Sequence, residues 1–287
     1  MENVDRLLKS PAKQPGRDFA VMLKTLTDLG YLVEWRVIHA ADYGFPQKRK
    51  RVFIYARKGK FAKDKLNYML NDSIFARAFP ADLKGNTSSF SLNGETWELS
   101  RNFSKGNKKS PFGNAGIYDG KTLITSDVKA VYRGKKRVLG DLVLPSKSVP
   151  SEYWIPENQL KSWRYLKGSK SIPRKSKSGH QYLYAEGAMS FPDSLTSASR
   201  TVLTAEGGSS PSRFRHVIQQ GNRFRRLTPI ELERLNGFPD DWTKFGANGE
   251  LFSDSRRAFF MGNALVVGII ERLAKEIAKD AKGNKRS

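Results

Sequence analysis

Phe19, Met22, Leu23, Leu26 and Leu29 recur at helical spacing and predict an amphipathic helix over residues 17–29, stopped by Gly30. Alternation over residues 31–39 predicts a strand. Gly44 and Pro46 then set a turn, after which a run of basic residues leads into Val52, Phe53 and Ile54, a second strand ending near Ala56. If residues 47–51 are extended, Gln47, Arg49 and Arg51 project from one face while Lys48 and Lys50 take the other. A helix followed by strand, turn and strand reads as the end of an α/β sheet. From residue 59 to about residue 220 the pattern breaks into short strands, Gly and Pro punctuation and isolated aromatics. Order returns at Thr228-Pro229-Ile230-Glu231, where an N-cap threonine, a proline at the first helical position and a glutamate three after the cap start a helix over residues 229–235. Gly237 stops it. Leu265, Val266, Ile269, Ile270, Leu273 and Ile277 line one face of a last helix, and residues 279–287 read as a frayed basic tail.

Charge changes the picture more than length does. The 287 residues suffice for one large or two modest domains, but a net charge of +23 calls for a polyanionic partner, nucleic acid first. The excess is concentrated: residues 101–180 hold 18 Lys/Arg against 5 Asp/Glu. There Trp154, Trp163, Tyr165, Tyr182 and Tyr184 are interleaved with Lys161, Arg164, Lys167, Lys170, Arg174, Lys175 and Lys177, a mixture suited to phosphate contacts with stacking side chains nearby. Further on, a β-branched stretch at residues 197–204 runs into Gly207-Gly208, where bare backbone allows close approach of a ligand or another chain. No run approaches 18 apolar residues and residues 1–5 lack a signal-peptide pattern, so a soluble, cytoplasmic protein without a membrane partner is expected. With no cysteine, and with histidine only at 39, 180 and 216, neither disulfides nor a metal site is expected. Cysteine-dependent chemistry would have to come from another chain.

Several motifs stand in a fixed order. Glu2-Asn3-Val4, the segment from Asp42 through Arg51 with its Gln-x-Arg-x-Arg pattern, the segment from Arg226 through Trp242 and Gly262-Asn263-Ala264 together resemble the C-terminal portion of a DNA (cytosine-5) methyltransferase. The resemblance spans residues 1–56 and about 197–280, with the basic window between them. It implies the C-terminal part of a doubly wound α/β methyltransferase domain carrying a smaller, strand-rich target recognition domain. Residues 1–58 would end the catalytic domain, 59–225 would form the recognition domain and 226–287 would supply helices returning to the first.

The family adds a cysteine thiolate to C6 of a cytosine flipped out of the duplex, transfers methyl from S-adenosylmethionine to C5, then removes the C5 proton and expels the thiolate. Its setting is DNA methylation in restriction–modification systems. The resemblance implies that Glu2 holds or protonates the N3 edge and exocyclic amine, that Arg51 bonds the ring carbonyl oxygen and that Arg49 supports the loop or a phosphate. It places Asn263 near the cofactor, and Gln47, Arg200, Thr204, Gly207 and Gly208 at the DNA. The family's early motifs, a Phe-x-Gly-x-Gly cofactor loop and a Pro-Cys nucleophile, are missing. The expectation is therefore a C-terminal half or subunit, inactive alone, whose nucleophile and most of whose S-adenosylmethionine site come from a missing N-terminal half or complementary subunit. A non-catalytic, sequence-specific binder of double-stranded DNA is the alternative, and an RNA-binding module is weaker for want of a stacking platform.

Overall fold

The computed structural model describes residues 1–283 except Ala62 and Lys177. The chain divides into two compact units, one made of Met1–Gly44, Arg49–Lys136 and Ile269–Ser287, the other of Phe45–Lys48 and Arg137–Gly268.

The first unit is built on a six-stranded sheet: β1 (Glu2–Val4), β2 (Leu32–His39), β3 (Lys50–Arg57), β4 (Ala81–Phe90), β5 (Ala115–Tyr118) and β6 (Leu123–Ala130). Their spatial order is β1-β3-β2-β5-β6-β4. Every pairing is antiparallel, where a doubly wound fold implies parallel neighbours. Helix α1 (Arg17–Asp28) forms as its apolar spacing predicts and packs Phe19, Ala20 and Leu23 against one face of the sheet, in a cluster with Val33 and Trp35. The rings of Phe19, Trp35 and Phe112 meet edge to face at 5.0–6.0 Å. The Trp35 ring packs on β5, where a Cβ on Gly116 would come within 2.1 Å of it, so only glycine fits. The other face of β2 carries Glu34 and Arg36, both buried, under the short helices α2 (Lys65–Asn67) and α3 (Ile74–Ala78) and the turn between them. Arg36 donates there to the carbonyls of Met69 and Phe79 at 3.3 and 3.4 Å. Helix α4 (Thr96–Asn102) packs on α1.

In the second unit, helix α5 (Glu157–Lys167) leads into a ribbon of β7 (Lys170–Lys175) and β8 (Gln181–Glu186), and a second hairpin pairs β9 (Val217–Gln220) with β10 (Arg223–Arg226). Helices α6 (Pro229–Asn236) and α7 (Asp254–Asn263) close a core of Leu139, Val202, Ile218, Leu232, Leu235 and Met261. The start of α6 is as the sequence predicts: Thr228 caps it, and the Glu231 carboxylate accepts the Thr228 backbone N–H at 2.8 Å. Glu231 also forms a fork with the guanidinium of Arg225 at 2.6 and 2.9 Å, both residues fully buried.

Helix α8 (Val267–Gly283) leaves this unit at its first turn. In the first unit it buries Ile269 and Leu273, and its Glu276 and Asp280 take Arg77 at 2.9 and 2.5 Å. The basic tail expected from residue 279 is helical through Gly283. Lys177 and residues 284–287 lie outside the described residues.

Candidate active site

In the first unit β1 and β3 run antiparallel, with Val4 opposite Arg51 and Glu2 opposite Phe53, which puts Glu2 and Arg51 on one face. Glu2 Oε1 lies 3.0 Å from Arg51 Nε, and both side chains are about one-fifth to one-quarter exposed, at 24% and 19%. The contact is an ion pair without hydrogen-bond alignment, so that carboxylate oxygen is buried and takes no donor from the protein. Arg51 spends one terminal N–H on the Lys50 carbonyl at 2.8 Å. Arg49 is buried beside them; burial lowers its pKa to about 10, the charge of Arg51 pushes the same way and Glu2 opposes both. The expected alternation is present: Gln47 and Arg49 are buried while Lys48 and Lys50 are exposed, and Lys50 pairs with Asp5 at 3.2 Å.

A cleft of about 1090 Å³ opens in the same unit. Lys9, Lys50, Lys84, Lys108, Lys109 and Lys129 line it together with Asp5, Asp42 and Asp127. Asp5 is matched by Lys50, Asp42 lies 2.9 Å from His39, and Asp127 accepts the Asn114 backbone N–H at 3.0 Å. The remaining five lysines point outward with no ion pair among the described residues.

The second unit holds the other residues singled out from the sequence. Gln47 is wholly buried: its amide nitrogen donates to Leu235 O and Asn236 Oδ1 at 3.3 and 3.1 Å, and its oxygen accepts the Val202 N–H at 3.0 Å. Arg200 forks onto Asp193 at 2.6 and 3.2 Å and donates to the carbonyls of Phe214 and Arg215. Despite its burial Asp193 is held below the ordinary carboxylate range, chiefly by Arg200. Thr204 is exposed, at the end of a loop whose backbone touches Gly262: a Cβ there would meet Thr204 N at 2.3 Å. Gly207 is bare for the same reason, since a Cβ would meet Ser255 Cα at 2.5 Å, whereas at Gly208 a Cβ would meet only the movable guanidinium of Arg215. Asn263 is exposed and donates to Phe259 O of its own helix at 3.2 Å. The structure thus brings Glu2, Arg49 and Arg51 together in one unit and Gln47, Arg200, Thr204, Gly207, Gly208 and Asn263 into the other.

Sequence reasoning missed a buried chain of polar groups beside that loop. Ser199 Oγ lies 2.9 Å from His216 Nε2, and His216 Nδ1 lies 2.8 Å from Glu206 Oε1. A lone histidine ten residues from a glutamate carries no sequence signal of such pairing.

An ion pair of Glu2 and Arg51 beside buried Arg49, on the edge of an antiparallel sheet in a chain of net charge +23, suits a polyanionic ligand. The profile of the C-5 cytosine-specific DNA methylases matches residues 1–279, and the chain belongs to that family. It is 43% identical to the type II methyltransferase M.Sau3AI of Staphylococcus aureus over 291 residues, which takes in 97% of this chain and 66% of the relative. To M.MthTI of Methanothermobacter thermautotrophicus it is 24% identical, over 93% of the chain and 62% of that protein. The chain therefore spans about two thirds of the length of these relatives. Its fold resembles those of S. pombe Dnmt2 (TM-score 0.54, 13% identity, 98% of this chain and 66% of that one) and Entamoeba histolytica EhMeth (0.52, 12%, 98% and 62%).

These matches correct one expectation. The likeness is not confined to residues 1–56 and 197–280 of a C-terminal half: it runs through the central window, over 97% of the chain. The reading as a half or subunit that draws its chemistry from a missing N-terminal half or a complementary subunit is withdrawn on that finding, and with it the non-catalytic remnant. The matches give no support to inactivity of the chain by itself. Family membership implies use of S-adenosylmethionine. Asn263 is exposed and gives one amide N–H to its own helix, which leaves its second N–H and its oxygen open toward such a group.

Proposed function

We propose that the chain serves in methylation of C5 of cytosine in a specific sequence of double-stranded DNA, with Glu2, Arg49 and Arg51 holding the flipped base. The observation that carries this reading is the Glu2–Arg51 pair. Glu2 Oε1 is buried and, although 3.0 Å from the Arg51 guanidinium, takes no aligned hydrogen-bond donor, so it keeps acceptor capacity for a ligand. The exocyclic amine of cytosine is such a donor, and the N3 edge beside it is the position to which a protonated carboxyl donates. Arg51, 3.0 Å away, would then face the ring carbonyl oxygen on which negative charge builds as C5 becomes nucleophilic. Arg49, behind it and already short of solvent, keeps the site positive. The thiolate addition used by the family is assigned to no residue of this sequence, which contains no cysteine.

Duplex contact is proposed for two surfaces. The first is the lysine-lined cleft, whose concave lining carries more positive than negative side chains and so favours phosphate. The second is the β7–β8 ribbon, which is exposed on nearly every residue, with Arg174 stacked 3.9 Å over Tyr184 and Leu183 64% exposed. A bare two-stranded ribbon is marginal in water and suits the width of a major groove. Arg200 and exposed Thr204 are proposed to contact the duplex as well, while Gln47, through its bond to the Val202 N–H, and Gly207 set the backbone of their loop.

The test is Glu2→Gln in transfer of tritiated methyl groups to unmethylated DNA by the holoenzyme. The variant keeps the shape but cannot supply a carboxyl proton, and transfer is expected to fall on the order of 10²-fold. An unchanged rate would remove Glu2 from the base.

A further inference from the structure

Ser199, His216 and Glu206 stand in the geometry of a hydrolase triad, 2.9 and 2.8 Å apart, but nothing can reach the serine. The three are 2%, 0% and 4% exposed, and the Ser199 hydroxyl also lies 2.8 Å from the carbonyl of its own neighbour Arg200. Their importance lies in what Ser199 touches with its backbone. Its N–H donates to Pro46 O at 2.8 Å and its carbonyl accepts the Lys48 N–H at 2.7 Å, a parallel bridge centred on Gln47. Thr201 adds a hydroxyl bond to Lys48 O at 2.6 Å. At the other end both Glu206 oxygens are committed to His216, one to the ring and one to the backbone N–H at 2.9 Å. Glu206 sits between Thr204 and the Gly207-Gly208 pair.

We propose that His216 and Glu206 are positioning residues: a buried latch that holds the 199–208 loop in register with the Pro46–Lys48 turn, so that one polar chain sets both the segment leading into Arg49 and Arg51 and the loop carrying Thr204. The loop's use at DNA rests on the function proposed above; the latch does not. An imidazole suits the post because it bonds at both ends, to Ser199 where the loop meets the turn and to Glu206 near the loop's far end. Leucine would fill the volume and hold neither. Removing one partner leaves buried polar groups without bonds, so the damage is expected to be local and steep.

Hydrogen exchange of the full chain tests this. In Ser199→Ala, and in His216→Asn, which retains a polar atom toward Glu206 and loses the one toward Ser199, exchange at the Lys48 amide is expected to rise at least about tenfold while β9, β10 and α6 are unchanged. The double variant is expected to match the single ones, since both break the same link. Unchanged exchange at Lys48, a rise spread evenly over β9, β10 and α6, or additive effects would each overturn the latch. Ser199→Ala deletes a single oxygen and serves if His216→Asn does not fold. Duplex affinity, measured on the same variants, is expected to fall severalfold. If exchange rises and affinity holds, the link belongs to the fold and the positioning role is overturned. A wild-type chain that binds no duplex would contradict the proposed function and leave the exchange result standing.

Discussion

At the scale of single residues, the most exposed tension in the molecule is Glu34, in the middle of β2. It is 2% exposed and neither carboxylate oxygen has a hydrogen-bond partner. Burial pushes its pKa up from 4.5 to about 7, with Arg57 the largest opposing influence. The folded state thus keeps a proton that the unfolded chain gives up above pH 4.5, so this site's contribution to stability falls as pH rises from about 4.5 to 7 and stays low beyond. Glu34→Gln, neutral at every pH, is expected to flatten the pH dependence of the melting temperature across that window and to stabilise the protein above pH 7 by up to about 3 kcal/mol. A variant with the wild-type slope would place the cause elsewhere. The same scale shows what one residue at a time conceals. Alternation put Gln47, Arg49 and Arg51 on one face, and the burial pattern agrees, but only the structure shows that Gln47 has its amide tied to α6 and the Val202 backbone. The Ser199–His216–Glu206 chain was illegible because its members are 7 to 17 residues apart in irregular backbone.

At the scale of elements, whatever depends on near neighbours in sequence was legible. Helix α1, strand β2 and the cap of α6 follow from spacing and from Thr228, Pro229 and Glu231. The addition of β4, β5 and β6 to the sheet was not. Strand β5 is buried on both faces, so Ala115-Gly116-Ile117-Tyr118 shows no alternation, and β4 is a polar edge with a bulge between Leu83 and Thr87. Glu231 joins the two levels: it looked like a capping residue and is also the partner of buried Arg225 and of the Leu144 N–H at 2.8 Å. Glu231→Ala is therefore expected to cost about 3–5 kcal/mol, well beyond the roughly 1 kcal/mol typical of a lost cap, because it strands a buried guanidinium. Chemical denaturation would show it, and a loss near 1 kcal/mol would mean that Arg225 finds another acceptor.

At the scale of the whole molecule, the charge of +23 has a location. Five lysines with no ion pair among the described residues gather on one cleft, where they outnumber the aspartates that share its lining. Replacing Lys84, Lys108, Lys109 and Lys129 together by Gln is expected to lower the log–log salt slope of duplex binding by about 0.9 for each phosphate that is no longer neutralised. An unchanged slope would take the cleft out of the DNA interface. No helix among the described residues is long and apolar enough to cross a membrane.

The central claim is that gripping the duplex and stabilising the base are separate tasks, the second resting on Glu2 and Arg51. Arg51→Ala, measured in one preparation for duplex affinity and for methyl transfer by the holoenzyme, tests it most directly. The account predicts an affinity within about twofold of wild type and a transfer rate lower on the order of 10²-fold or more. Transfer at the wild-type rate, or a loss fully explained by weaker binding, would contradict it.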